Sequence, residues 1–260
     1  PRLFDTPNMV GASYYYTERG QGQSNPFPFD TQQQGGYISW GKRFKWPDFY
    51  FKGSWMIRFG KKTYLSDIPI SIPRLSYYLG NDAQYMVDVD STNYSYDNLG
   101  NIFYSGTLPK QGIQSSGISM TQTITRDSRN HPEFPTSGSK AIWTSTLSGH
   151  IFSGNENYHK HILDFNWFVP INNKLTISQK YKVGVLKQLP SKNKYSIRTP
   201  TEYFVIGGIG IPYGEMLRGY PDPERYGNNV IGNYMMKYSL ELRFSLSENP
   251  TLYILSFIEM

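Results

Sequence analysis

"NYMMKYSLELRFS", residues 233 to 245, decides the fold. In an extended chain Tyr234, Met236, Tyr238, Leu240, Leu242 and Phe244 share one face. Asn233, Met235, Lys237, Ser239, Glu241, Arg243 and Ser245 share the other, and Met235 alone breaks the alternation. Strand side chains point to opposite faces with a period of two, so this is a long strand with one apolar and one polar face.

The same period recurs outward from that stretch. In "HILDFNWFV", Leu163, Phe165, Trp167 and Val169 oppose Asp164 and Asn166. In "FYFKGSWMIRF", Phe49, Phe51, Trp55, Ile57 and Phe59 oppose Lys52, Ser54 and Arg58. "ISMTQTIT" sets Ile118, Met120 and Ile124 against Ser119, Thr121, Thr123 and Thr125, and "KLTISQKYKVGV" sets Leu175, Ile177, Tyr181, Val183 and Val185 against lysines and hydroxyls. These runs are about 9–13 residues long, beyond the soluble mode of about 5–6 and near the transmembrane-strand length of about 9–11. A soluble sandwich also alternates. Two features favour a membrane barrel: large aromatics crowd the apolar faces, and full charges stand mid-strand on the polar faces, as a wet lumen allows.

Strands are predicted near 8–18, 35–44, 49–60, 117–127, 140–152, 159–169, 174–188, 232–246 and 251–260. The turns "KWPD", "SRNHPEFPTSG", "PINN" and "SENP" are compact and rich in turn formers. The alternate connections are mostly long: "GQGQSNPFPFDTQQQG", the segment 61–116, and 189–231, with "SGNENY" the brief exception. Short turns on one side and long loops on the other match the periplasmic and external sides of an outer-membrane barrel. The segment 61–116, rich in Tyr, Asn and Asp, is expected to be an external loop with a short helix.

Bulk properties agree. The 260 residues include 22 Tyr, 24 Gly and 17 Pro and no Cys, so neither a disulfide framework nor a thiolate metal site is possible. The net charge of +6 is scattered, which points away from nucleic acid. Mean hydropathy is −0.52, a value a barrel shares with soluble proteins because half of each strand is polar. The chain opens at Pro1 and stops inside an apolar run, which leads to the expectation of a fragment.

Other signals point to little chemistry. "GGIGIPYG" lacks the Gly-Lys-Ser/Thr ending of a phosphate loop. His159 and His161 share the apolar face with no third ligand in view, which reads as interfacial histidine rather than zinc. His150 has serines around it but no Gly-x-Ser-x-Gly elbow. No catalytic, metal or cofactor site is assigned.

Three motifs in order carry a resemblance. "FVIGG" followed by "LRGYPD", "YSLELRFSLSENPTLYILSFIEM", and "ISMTQTITRDSRNHPEFPTSGSK" together resemble the BamA-type bacterial surface antigens, an outer-membrane protein-assembly family, along most of the chain. The resemblance implies an all-β, antiparallel transmembrane barrel of about sixteen strands, with about nine here (the fifth to the thirteenth), so residues 1–260 would be part of one barrel domain. Periplasmic POTRA repeats and the first and last strands would lie outside it. It implies a loop folded into the lumen with Gly207 and Gly208 as scaffold and Arg218, Gly219 and Tyr220 as tip. The arginine would pair with an acid on the inner wall, here Glu259 where the family usually has Asp. It also implies a strand-turn motif of Arg126, Asp127, Phe134, Pro135, Thr136, Gly138 and Ser139. The function implied is an insertase that templates folding of client barrels into the outer membrane, with the lipid bilayer, unfolded outer-membrane proteins and accessory lipoproteins as partners. Relatives with the same fold, a translocation-assembly barrel or a two-partner secretion pore, are the alternative; a passive porin would not need the Arg-Gly-Tyr loop.

Overall fold

The computed structural model describes residues 8–20, 29–190, 197–207, 215–219, 230–248 and 251–260. In chain order its elements are β1 (Asn8–Arg19), β2 (Asp30–Arg43), β3 (Phe51–Leu65), β4 (Ile70–Ser71), α1 (Ile72–Leu79), β5 (Asp88–Tyr96), β6 (Ile102–Thr107), β7 (Ile113–Asp127), β8 (Gly138–Ser148), β9 (Tyr158–Pro170), β10 (Leu175–Gln188), β11 (Phe204–Ile206), β12 (Val230–Gly232), β13 (Tyr234–Glu248) and β14 (Thr251–Glu259). Nine of them form one antiparallel sheet in the order β1-β2-β3-β7-β8-β9-β10-β13-β14. Each sequence-predicted strand falls on one of these nine. The barrel is partial, with β1 and β14 at its edges among the described residues.

Burial separates the two faces as the alternation requires. On β13, Tyr234, Met236, Leu242 and Phe244 are exposed outward, while Ser239 and Glu241 are buried inward. On β3 and β2 the outward pair Trp55 and Trp40 stack across the register at 4.3 Å. Outward polar groups find partners within the sheet: Trp55 Nε1 donates to Gln122 Oε1 at 3.3 Å, and Tyr181 Oη donates to Gln179 Oε1 at 3.1 Å. Hydrocarbon offers no water to take their place.

Several predicted boundaries move: β2 begins at Asp30 rather than at 35, inside the stretch expected to be a loop, and β8 stops at Ser148 rather than at 152. Strands β3 and β7 run on together to Leu65 and Ile113, so the long external segment is shorter than 61–116 and begins above the wall. That segment contains the expected helix, α1, and also a small sheet in the order β4-β6-β5. It folds over its own core of Phe29, Tyr64, Ile70, Leu75, Tyr78, Leu79, Ala83, Leu108, Ile113 and Ile197. The loops interlock there. Arg198 N donates to Leu79 O at 2.8 Å, Ile197 N to Asn155 O at 3.1 Å and Leu189 N to Asn157 O at 2.9 Å.

The turn after β7 is built from polar side chains. Gly138 has φ +94, and a Cβ there would lie 2.3 Å from Ser128 O. Asn130 Oδ1 accepts from Thr136 N at 3.0 Å and Ser137 N at 3.1 Å, and its Nδ2 donates to Thr136 Oγ1 at 2.8 Å.

Candidate functional site

The long connection between β10 and β13 turns back along the inner wall, and a series of contacts holds it there. At the external end Glu202 receives Lys160 Nζ, which donates to its carbonyl at 2.7 Å and its carboxylate at 3.2 Å. Lys62 of β3 lies 3.8 Å from the same carboxylate and 3.2 Å from Glu156. Ser115 Oγ also donates to Glu156. Burial raises the Glu202 pKa, but Lys62 and Lys160 more than offset it and hold the carboxyl below its ordinary value.

Next along the wall comes an aromatic knob. Phe204 is buried with Tyr158, Leu186 and Met235. Its ring occupies the space a side chain would need at residue 184: a Cβ on Gly184 would lie 2.4 Å from it. Met235, the exception in the alternation of β13, is thereby explained: it faces inward, but under the loop rather than water. Lys160 Nζ stands 4.9 Å over the Phe204 ring. The arm is tied to itself as β11 pairs with β12, and Glu215 N donates to Val205 O at 2.7 Å.

The loop then descends. Glu215 pairs with Lys182 of β10, and Lys237 of β13 donates to Met216 O. Arg218 follows, with Leu217 buried beside it. Its guanidinium donates to Glu241 Oε1 at 2.9 Å and lies 3.2 Å from Glu259 Oε1. Its backbone N donates to Glu259 Oε2 at 3.0 Å. The Phe257 ring supports it from below at 4.0 Å. Arg243 and Lys180 complete the charge around Glu241, at 2.5 Å and 3.4 Å, and Ser239 Oγ donates to Glu259 at 3.3 Å. Both carboxylates are almost fully covered, with side-chain exposures of 4% for Glu241 and 3% for Glu259.

The contact between Arg218 and Glu259 was expected; the equal share of Glu241 was not. Its inward parity was legible, but nothing in the spacing showed that neighbouring β13 and β14 would offer Glu241 and Glu259 to one guanidinium. Gly219 has φ +85, a left-handed conformation that suits a tip where the chain must turn sharply. Gly207 has φ +141 and donates to Glu215 O at 3.2 Å. Tyr220 and Gly208 lie outside the described residues.

The strand-turn residues sit at the opposite, periplasmic end. Arg126 Nε pairs with Asp48 at 3.0 Å and its NH1 donates to Ser128 Oγ at 3.1 Å and Ser139 Oγ at 3.5 Å. Asp127 takes Arg129 in a two-point pair at 2.8 and 2.9 Å. Pro135 is buried and Thr136 is held by Asn130. The Phe134 ring stacks on Tyr253 of β14 at 5.6 Å and 19°. This motif and the arginine site are separate clusters. His159 and His161 sit ring to ring at 4.0 Å on the outer face, and among the described residues no group of three or more His, Cys, Asp or Glu could hold a metal. His150 Nδ1 lies 3.4 Å from Pro190 O, at the external rim.

A long-stranded antiparallel sheet, aromatic outside and charged inside, with tight turns on one side, defines an integral β-barrel of the bacterial outer membrane. The Omp85 superfamily domain matches residues 1–259, and the chain belongs to that superfamily, a group of outer-membrane protein insertion and secretion barrels. No curated protein sequence matches. The crystal structure of BamA from Haemophilus ducreyi lacking POTRA domains 1-3 is similar, with a TM-score of 0.64 at 16% identity, over 97% of this chain and 46% of that one. The chain thus spans about half of that structure, and at this identity the likeness is one of fold.

Proposed function

We propose that this chain is the central part of an insertase that templates the folding of client β-barrels into the outer membrane. The observation that supports it most is the inward loop clamped on neighbouring strands β13 and β14 by Arg218. A passive pore needs a clear lumen; here the loop lies along the wall through at least three ionic contacts. A client strand entering lipid exposes unpaired backbone groups, each costing several kcal/mol. A barrel edge offered as a template satisfies them one hairpin at a time. Arg218, Glu241 and Glu259 do not form such an edge; they hold the loop and, through it, the shape of the wall beside β14.

We further propose that residues 1–260 belong to one barrel domain of about sixteen strands, with POTRA repeats preceding it. The sheet supports this, because β1 and β14 carry backbone groups that lipid cannot satisfy. Unfolded outer-membrane proteins would be the clients, and periplasmic lipoproteins the accessory partners.

The test is complementation. In cells depleted of the native full-length protein, Arg218→Ala is expected to lower the amount of folded client porin while the variant itself still reaches the membrane. Arg218→Lys is expected to fail in part, since an ammonium cannot span two carboxylates as a planar fork does. Normal client levels with Arg218→Ala would refute the reading.

A further inference from the structure

The external hairpin β5–β6 carries a face that neither lipid nor the cap core covers. Tyr94 lies across from Tyr104, and Tyr96 from Ile102. The Tyr94 ring is 5.5 Å from Tyr96 and 6.3 Å from Tyr104, edge to face in both cases. All four are exposed, from 41% for Tyr104 to 62% for Tyr96, and Leu99 at the tip reaches 88%. These residues stand beyond the external ends of β3 and β7, outside the membrane-spanning wall. A contiguous exposed aromatic face marks an interaction surface.

Charge says what kind. Residues 75–109 contain Asp82, Asp88, Asp90 and Asp97 and no Lys, Arg or His. The segment therefore carries −4 within a chain of +6, leaving +10 for the rest. Asp88 is exposed. Asp97 accepts from Leu99 N and Asn101 N at 2.8 Å and Asn101 Nδ2 at 2.7 Å, and the Asn101 bonds hold its carboxyl below the ordinary range, so it stays ionised.

Spacing says what shape. Tyr94 and Tyr96 are two residues apart on a strand, and that repeat of about 7 Å is also the distance between alternate side chains of an extended peptide. Around the rings the sequence is "DVDSTNYSYDNLGN". Tyr supplies rigid amphipathic area at low entropic cost, and Ser and Asn supply adaptable hydrogen bonds, a composition shared with binding loops.

We propose that the Tyr94–Tyr96–Tyr104 face is a docking surface for an extended cationic polypeptide segment presented from outside the cell. Alternate Lys or Arg side chains lie over the tyrosine rings as cation–π contacts. The acidic field of the segment steers them in and rejects anionic chains. The surface is distinct from the lumen loop and does not depend on the insertase reading.

The experiment uses the full-length protein in nanodiscs of zwitterionic lipid, which do not themselves attract cations. The probes are a fluorescent octapeptide of alternating Lys and Ser, its Glu-Ser counterpart, and a neutral linear glucan. Binding of the Lys-Ser peptide, weakened by salt, is expected, with none for Glu-Ser. Tyr94→Ser combined with Tyr104→Ser should lower its affinity about tenfold or more, as loss of two cation–π contacts requires. Asp88→Asn should lower it less. Unchanged heat-modifiable mobility in gels shows that the variants fold. Equal binding of the Lys-Ser peptide by the double tyrosine variant overturns the proposal, as does a preference for the neutral glucan, which would assign the face to carbohydrate.

Discussion

Glu241 is the residue on which the lumen site turns. Three cations converge on its carboxylate: Arg218, Arg243 and Lys180. Removing one partner of a covered ion pair costs more than the pair contributes, roughly 3–5 kcal/mol when burial is complete. Arg218 is 31% exposed, which lowers the figure for its own loss. Among the described residues, Glu241→Ala takes the carboxylate from Arg243 and Lys180 and leaves Arg218 with Glu259 alone, whereas Glu259→Ala leaves Glu241 to hold all three cations. Glu241→Ala is therefore expected to lower the melting temperature of the full-length barrel more than Glu259→Ala. Arg218→Ala added to Glu241→Ala should cost less than the sum of the two, because they share one interaction. Strict additivity would break this account. Gly184 offers a second test. Gly184→Ala places a methyl 2.4 Å from the Phe204 ring, so the ring must leave its seat and the loop arm should become more open to protease. In Phe204→Ala the same glycine substitution should cost little further, since the clash is gone. An equal cost in both backgrounds would show that Phe204 does not seat there.

At the scale of the strand, the alternation makes a labelling prediction that the structure sharpens. Residue 241 has inward parity, yet its side chain is covered by the Arg218 loop, so a cysteine there is a poor reporter of a wet lumen. Lys52 and Ser54 of β3 are inward and exposed, whereas Ile57 and Phe59 are outward and exposed. The chain has no cysteine of its own. Single cysteines at 52 and 54 are expected to react with a membrane-impermeant maleimide in the intact membrane, and those at 57 and 59 to stay protected. Equal reaction at all four would contradict the assignment of faces. These strands were legible because each is judged on its own: burial on one side leaves a period of two that needs no knowledge of neighbours. The external cap was not legible in that way. Its core joins Phe29, Tyr64 and Ile197 from three distant stretches; β4 and β6 are two and six residues long, and the register shift between Asp90 and Tyr94 interrupts the period of β5. The lumen site falls between these cases. Arg218 and Glu259 were visible as a pair through their setting, but Lys160 and Lys62 looked like ordinary lumen charges until Glu202 was placed beside them.

For the whole molecule the open edges matter most. Among the described residues β1 and β14 have a partner on one side only, and the sheet between them is apolar outside. Residues 1–260 made alone, in detergent or in water, are expected to aggregate, because only closure or further strands remove such edges. A monodisperse monomer with cooperative unfolding would count against the barrel. The stack of Phe134 on Tyr253 bears on how such a barrel can deform. It ties the turn after β7 to β14, which lies four strands beyond β8 in the sheet. In mechanical terms it is a chord across an arc: the curved wall from β8 to β14 cannot flatten without stretching it. Any widening of the barrel at its periplasmic rim must then either part these two rings or take place outside the arc from β8 to β14.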